Sequence, residues 1–182
     1  MSGAEVPRVK RSVTCIIVEN DPIQLLAIKA AMEAVLAGDF VARFRTARDL
    51  EECLRRLRSL EFTLPDLVLA DLYVSEHPGA SEAVEKVAKR ILGERIPLLV
   101  SLREALGPRP VLIAISRYIS FFEDEYKRLG HIEKAQEIET LITQALWERA
   151  GVDLIISKFQ DKEKYYAIPN LLQGRGKHEE PI

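Results

Sequence analysis

The chain has 182 residues, of which 47% are hydrophobic and 30% charged. This balance is typical of a folded globular domain and argues against a disordered chain. The formal net charge is −2, with both signs mixed along the sequence, so we expect no nucleic-acid-binding surface, which needs clustered basic residues. The apolar runs have the length of a strand, and residues 1–11 contain no apolar stretch. We therefore expect no membrane span, no secretory signal and a cytoplasmic location.

The two cysteines support neither a metal cage nor a redox pair. Cys15 lies in an apolar run, and Cys53 lies on one face of a predicted helix. Both positions favour a small buried hydrophobic side chain in a reducing compartment. The chain is long enough to bury a core without disulfide or metal support.

Five short apolar runs predict five strands. The first run, VTCIIV, is apolar almost without interruption, which is typical of a strand buried on both faces of a parallel sheet. The predicted strands are residues 13–18, 40–44, 66–70, 111–116 and 152–156.

Stretches with apolar residues three or four positions apart separate the strands and predict helices. The first helix begins at Pro22, with Asp21 as its N-cap, and ends at Gly38. A second helix follows its cap Thr46, and a third begins at Ser81. A further helix lies between Pro97 and about residue 106, and a long one ends at Gly151. The last helix covers residues 161–168, with Pro169 as its end.

Strand and helix thus alternate five times along the chain. This order predicts a doubly wound five-stranded parallel sheet with helices on both faces, a three-layer α/β sandwich. The predicted domain covers residues 12–172. The Gly-rich and charged segment 173–182 predicts a flexible tail.

Polar residues stand at the carboxyl ends of four predicted strands, where functional side chains gather in open parallel sheets. Carboxylate oxygens suit a hard cation such as Mg²⁺. An ammonium group and a hydroxyl beside such a cation can stabilise a transferring phosphoryl group, with Asp71 as the nucleophile. The residues are Glu19, Asn20 and Asp21 after the first strand, Asp71 after the third, Ser116 at the end of the fourth and Lys158 after the fifth.

Four segments resemble, in this order, the receiver domain of two-component response regulators, which has a flavodoxin-like, CheY-like fold. The segments CIIVENDPIQLLAI, LPDLVLADLYVSE, VLIAIS and GVDLIISKF are similar to the family's acidic turn, phosphoacceptor strand, Ser/Thr strand and lysine strand. The resemblance implies a stand-alone receiver in a phosphorelay, which is not an enzyme acting on other substrates. Its partners would be a sensor histidine kinase or phosphotransfer protein and a downstream target protein.

The resemblance also assigns roles to individual residues. It implies that Asp71 accepts the phosphoryl group and that Ser116 and Lys158 contact the phosphoryl oxygens. It implies that Mg²⁺ is bound by Glu19 and the next residue, together with Asp71 and the backbone carbonyl of Tyr73. Asp21 has two interpretations, as a further metal ligand or only as the cap of the first helix.

The chain departs from the family at several of these positions. Asn20 stands where the family usually has a metal-binding aspartate, and the loss of a charge should weaken Mg²⁺ binding. Ile155 replaces the aromatic switch residue, and Phe159 follows Lys158 where proline is usual. These departures favour an alternative, a pseudo-receiver that binds partners without being phosphorylated. A third alternative, an aspartyl-phosphate hydrolase, usually has a second acid where Tyr73 stands.

The connections after the third and fourth strands are longer than the family needs. They contain 44 residues between Asp71 and Ser116 and 41 between Ser116 and Lys158. We expect residues 118–150 to form a helical insertion of two helices joined near Gly130. Its apolar stripe, with Tyr118, Phe121 and Phe122, suggests a surface for a partner or a homodimer.

Overall fold

The computed structural model describes residues 9–72, 81–116, 132–158 and 161–176. Its centre is a five-stranded sheet in the order β2-β1-β3-β4-β5, in which all neighbouring strands are parallel. This confirms the predicted doubly wound sheet. The strands are β1 Arg11–Val18, β2 Phe40–Ala47, β3 Leu67–Asp71, β4 Val111–Ser116 and β5 Leu154–Ser157.

Helices cover both faces of the sheet. Two of them are followed directly by a wider π-helical turn, Ile91–Arg95 and Ala145–Arg149, and a 3₁₀ turn, Lys162–Ala167, precedes the last helix. The helices are α1 Pro22–Leu36, α2 Leu50–Arg58, α3 Ser81–Arg90, α4 Ile96–Leu106, α5 Ile132–Gln144 and α6 Ile168–Gly176. None of the helices in the described ranges is both long and apolar enough to cross a membrane.

The alternation of β1 side chains divides the core into two hydrophobic clusters. Cys15 and Ile17 face the cluster formed with α1, the 3₁₀ turn and α6. Ile16 and Val18 face the cluster formed with α2, α3, α4 and α5. Successive side chains of a strand point to opposite faces, so a strand buried on both sides reads as a continuous apolar run. The three-layer prediction is confirmed.

The second predicted helix start was wrong by several residues. Thr46 still belongs to β2, where it lies opposite Ile17 of β1. The cap is Asp49, whose side chain accepts a hydrogen bond from the Glu52 N–H at 2.7 Å. The Glu52 carboxylate in turn accepts the N–H of Arg48 at 2.7 Å, a reciprocal arrangement like the capping box.

The helix predicted between Pro97 and about residue 106 is confirmed as α4, with Pro97 in its first turn. Helices α3 and α4 are consecutive, joined by the π-helical turn Ile91–Arg95, and the Ile96 N–H donates to the Ile91 carbonyl. A π-helical turn changes the hydrogen-bond register, so it accommodates a residue without an N–H inside a helical stretch. Pro97 is the second residue of α4.

The last helix extends further than predicted. Pro169 lies in the first turn of α6, where its missing N–H needs no partner. The helix continues to Gly176, so residues 173–176 do not belong to a flexible tail; residues 177–182 lie outside the described residues. The Arg175 guanidinium holds this end by donating to the Pro110 carbonyl at 2.8 Å and to the Asp153 carboxylate.

Only part of the predicted 118–150 insertion is described. Its second half forms α5 and the turn Ala145–Arg149, and Ala135, Ile138 and Ile142 pack into the core. This half therefore lies against the sheet. The first half, including Tyr118, Phe121, Phe122 and Gly130, lies outside the described residues.

Candidate functional site

Three buried charged side chains meet at the carboxyl edge of the sheet. The Lys158 ammonium nitrogen lies 2.5 Å from Glu19 Oε2 and 2.9 Å from Asp71 Oδ2. The side chains of Lys158, Glu19 and Asp71 are only 7%, 1% and 6% exposed. We call these three residues the acid–lysine triad. The structure thus brings together three residues that the sequence placed at one edge.

Backbone hydrogen bonds fix the chain at each member of the triad. The Glu19 N–H donates to the Ala47 carbonyl at 3.0 Å, and the Lys158 N–H donates to the Ser116 carbonyl at 3.2 Å. Asp71 is the last residue of β3 and lies opposite Ile115 of β4. Sheet hydrogen bonding or strand pairing therefore extends to each of the three residues that carry a charged side chain.

The position in the fold explains why a site can form here. Strands β1 and β3 are neighbours, and the chain winds outward from them in opposite directions. In doubly wound sheets such a switch point leaves a crevice outside the carboxyl ends of the strands. Glu19 and Asp71 border this crevice, and Lys158 reaches it from β5.

The electrostatics of the triad depend on its burial. A charge removed from water is costly unless it is paired and hydrogen-bonded, and Lys158 supplies an ammonium to both carboxylates. Tyr165 of the 3₁₀ turn lies in the same field. Its own burial and the nearby negative charge of Glu19 raise its pKa to about 12, which keeps the phenol protonated at neutral pH.

Asp21 acts as the cap of α1. Its Oδ1 accepts hydrogen bonds from the N–H groups of Ile23 at 2.8 Å and Gln24 at 3.2 Å. Its own N–H donates to Glu19 Oε1 at 3.0 Å, so the turn also orients the second oxygen of Glu19. The predicted cap is confirmed, the metal-ligand interpretation of Asp21 stays a prediction, and the neighbouring Asn20 is exposed.

The metal assignment stays a prediction. Within the described ranges, no group of three or more His, Cys, Asp or Glu side chains is gathered so that it could hold a metal ion. Glu19 and Asp71 are the two carboxylates that converge, and their oxygens are of the kind that Mg²⁺ prefers. Tyr73, whose carbonyl was the remaining predicted ligand, lies outside the described residues.

Ser116, whose contact with a phosphoryl group stays a prediction, ends the strand that the sequence predicted. Ser116 is fully buried at the end of β4, next to Ser157 of β5 in the strand register. Ser157 is also buried and was missed by the sequence analysis, although it ends an apolar strand just as Ser116 does. Ile155, at the position of the family's aromatic switch, packs in the core cluster on the α2–α5 side.

Asp161 and Lys164, which follow β5, were not among the predicted site residues, because their contacts depend on how the chain turns after that strand. The Asp161 carboxylate accepts the Ser157 N–H at 3.0 Å and pairs with Lys164 at 2.7 Å. A carboxylate four residues after a strand-end serine is a weak sequence signal, but it was the available one.

An open groove of about 520 Å³ lies beside the triad, between α1 and the 3₁₀ turn. Ile23 and Tyr166, which line it, are 77% and 72% exposed, so the groove presents apolar and aromatic surface to solvent. Its other lining residues are mainly small or apolar residues of α1, together with Lys158, Lys162 and Tyr165.

No protein-family model matches the chain, and no curated protein matches its sequence. Solved structures are similar to it in fold. One is a two-component response regulator from Legionella pneumophila, with 12% sequence identity and a TM-score of 0.53 over 89% of this chain and 98% of that chain. Another is the signal receiver domain of an HD domain-containing protein from Pseudomonas fluorescens Pf-5, with 14% identity and a TM-score of 0.53 over 92% and 100%. The chain therefore has the fold of response regulator receiver domains.

Proposed function

We propose that the chain is a receiver module of a two-component phosphorelay, which accepts a phosphoryl group on Asp71 and signals through contacts with other proteins. The observation that carries this proposal is the acid–lysine triad. A carboxylate at the carboxyl edge of a receiver-type sheet is held at 2.9 Å from a buried ammonium group. This places a nucleophile next to a group that can stabilise negative charge.

The chemistry follows from these positions. An oxygen of Asp71 attacks the phosphorus of a phosphohistidine on a partner protein, and a new P–O bond forms as the P–N bond breaks. The imidazole leaves with the bonding electron pair and takes up a proton. Lys158, freed from one carboxylate contact, donates to an oxygen of the transferred group, and the Ser116 hydroxyl can donate to another.

Mg²⁺ belongs to this proposal as a cofactor. Glu19 and Asp71 would hold it, with the amide oxygen of Asn20 as a neutral ligand, because their oxygens match the preference of a hard cation. When bound, it supplies positive charge that neutralises the phosphoryl oxygens. Lys158 already pairs with both carboxylates, so the cation has to compete with an ammonium group for them.

The groove beside the triad supports a protein partner. A sensor histidine kinase or phosphotransfer protein must bring its phosphohistidine to Asp71, and an apolar groove next to Lys158 gives an adjoining contact surface. On the far side of the sheet, Leu141 and Trp147 are 48% and 44% exposed on α5 and its π-helical turn. These two side chains support a second contact, with a downstream target or a second copy of the chain.

A pseudo-receiver is the second candidate. It is favoured by the pairing of Lys158 with both carboxylates, which satisfies the triad internally, and by the neutral Asn20. In that function the fold and the contact surfaces remain, but Asp71 is never phosphorylated.

Intact-mass spectrometry after incubation with acetyl phosphate and Mg²⁺ separates the two candidates. The receiver function predicts one phosphoryl adduct on the wild-type chain and none on the Asp71→Asn variant. Omission of Mg²⁺ with added chelator should abolish the adduct. A wild-type chain that stays unmodified at millimolar donor would support the pseudo-receiver instead.

A further inference from the structure

We propose that Asp161 is a positioning residue for Lys158, a role that rests on the proposed phosphotransfer at Asp71. Asp161 is hydrogen-bonded to the end of β5 and so holds the backbone from which the Lys158 side chain extends to Glu19 and Asp71. It contacts no reacting atom itself.

Two hydrogen bonds join Asp161 to the last residue of β5. The Ser157 N–H donates to Asp161 Oδ2 at 3.0 Å, and the Asp161 N–H donates to the Ser157 carbonyl at 3.3 Å. Lys158 follows Ser157 directly, and its N–H is bonded to the Ser116 carbonyl. The backbone at Lys158 is therefore fixed on one side by β4 and on the other by Asp161.

Lys164 stabilises the position of the Asp161 carboxylate beside β5. Its ammonium lies 2.7 Å from Asp161 Oδ2 and 3.3 Å from the carbonyl of Ile155 in β5. Burial alone would raise the pKa of Asp161, but the hydrogen bonds from Lys164 and from the Ser157 N–H outweigh it and hold the pKa below its ordinary value. The carboxylate thus remains ionised at neutral pH.

The direction of the Asp161 side chain distinguishes this role from ordinary helix capping. Asp161 stands at the position that precedes the 3₁₀ turn Lys162–Ala167, yet its side chain makes no capping hydrogen bond to that turn. It points back to β5 instead. The Lys158 ammonium reaches Glu19 and Asp71 from a backbone position bordered by β4 and Asp161, so a shift of this backbone would displace the base of the lysine side chain and change its fit to both carboxylates.

The first test measures the rate of adduct formation on Asp71 with acetyl phosphate. Asp161→Ala, which removes both the acceptor and the charge, should lower this rate by about tenfold, since small misplacements of a positioned group have effects of this order or larger. Asp161→Asn keeps an oxygen that can accept the Ser157 N–H and should restore part of the rate. The exposed neighbour Glu163→Ala is the matched control and should leave the rate unchanged.

The effect must act through Lys158. In a Lys158→Met background, Asp161→Ala should cause no further loss of rate. An equal loss with and without Lys158, or an Asp161→Ala rate within twofold of wild type, would overturn the proposal.

A second readout does not depend on phosphorylation. The side-chain ammonium signal of Lys158 in ¹⁵N-resolved NMR of the full chain, assigned with Lys158→Met, should be visible in the wild type because the group is buried and ion-paired. It should broaden or shift in Asp161→Ala and recover in Asp161→Asn. An unchanged signal in a folded Asp161→Ala variant refutes the positioning role. A chain that never forms an adduct refutes the proposed function alone, since the NMR result still decides the role of Asp161.

Discussion

The ammonium of Lys158 donates a hydrogen bond to the Asp71 carboxylate at 2.9 Å across 87 positions of sequence. The two residues emerge from β5 and β3, which are separated by β4, so the lysine side chain spans the end of the intervening strand. Glu19 accepts from the same ammonium. This sharing makes Lys158 the residue on which both the stability of the carboxyl edge and the proposed chemistry depend.

Lys158→Met should destabilise the protein. The substitution removes the ammonium and leaves Glu19 and Asp71 buried beside each other, and breaking a buried ion pair on one side costs about 3–5 kcal/mol. Urea unfolding measures the difference. Adding Glu19→Gln to this variant should recover part of the loss, because one buried negative charge is then removed. A Lys158→Met variant with the same free energy of unfolding as the wild type would show that the ion pairs of the triad do not stabilise the fold.

Tyr165 should produce a loss of stability at alkaline pH. Its pKa is raised from 10.0 to about 12 in the folded chain by burial and by Glu19. The raised pKa means that the unfolded chain loses the phenolic proton first, so the contribution to stability is complete below pH 10 and is lost as the pH rises through about 12. The contribution amounts to at most about 3 kcal/mol.

Unfolding free energies of the wild type and Tyr165→Phe across this window test the assignment. The variant should lose less stability as the pH rises. Tyr166→Phe is the matched control, because Tyr166 is adjacent in sequence but 72% exposed, and it should behave like the wild type. Identical slopes for all three chains would be evidence against a buried Tyr165 phenol beside Glu19.

Asp153 should be important for the end of the sheet opposite the triad. Its carboxylate accepts the Leu112 N–H at 2.8 Å and pairs with Arg103 at 2.8 Å and with Arg175. Asp153→Ala removes the acceptor of the Leu112 N–H and the anionic partner of Arg103 and Arg175, although both guanidinium groups keep the Pro110 carbonyl, and should cost about 2–4 kcal/mol. Hydrogen exchange should also quicken in α6. The exposed Glu104→Ala on α4 is a suitable control, and comparable effects of the two substitutions would contradict this account.

Asn20→Asp should strengthen Mg²⁺ binding. The substitution adds a carboxylate to the turn that contains Glu19, and the affinity of such sites rises with the number of charged ligands. We expect about a tenfold lower dissociation constant by isothermal titration. Asp21→Asn tests the neighbouring carboxylate, which caps α1, and should have a smaller effect. Equal affinities for the wild type and Asn20→Asp would place the cation away from this turn.

The sheet and the members of the triad could be predicted because the same physical pattern marks them all. Each central strand is apolar without interruption, and each ends abruptly at a polar residue. Parallel strands put such residues at one edge, so Glu19, Asp71 and Lys158 were expected together. Their shared hydrogen bonds could not be predicted, since they depend on the path of one flexible lysine side chain.

The errors have separate physical causes. Pro169 was expected to end the last helix, but a proline is tolerated in the first turn of a helix, and Pro169 lies in the first turn of α6. Thr46 was read as a cap, although pairing with β1 extends β2 past it. Asp161 carried only a weak signal, because a carboxylate that turns back to a strand looks, in sequence, like any helix cap. For Thr46, pairing with a neighbouring strand outweighed the local preference for a cap.

The central claim is that Asp71 carries the phosphoryl group, and reductive trapping tests it most directly. After treatment with acetyl phosphate and Mg²⁺, borohydride converts an aspartyl phosphate to homoserine, which peptide mass spectrometry locates in the chain. We predict homoserine at position 71 in the wild type and at no position in Asp71→Asn. Homoserine at another aspartate, or an Asp71→Asn chain that is trapped as well as the wild type, would contradict the account.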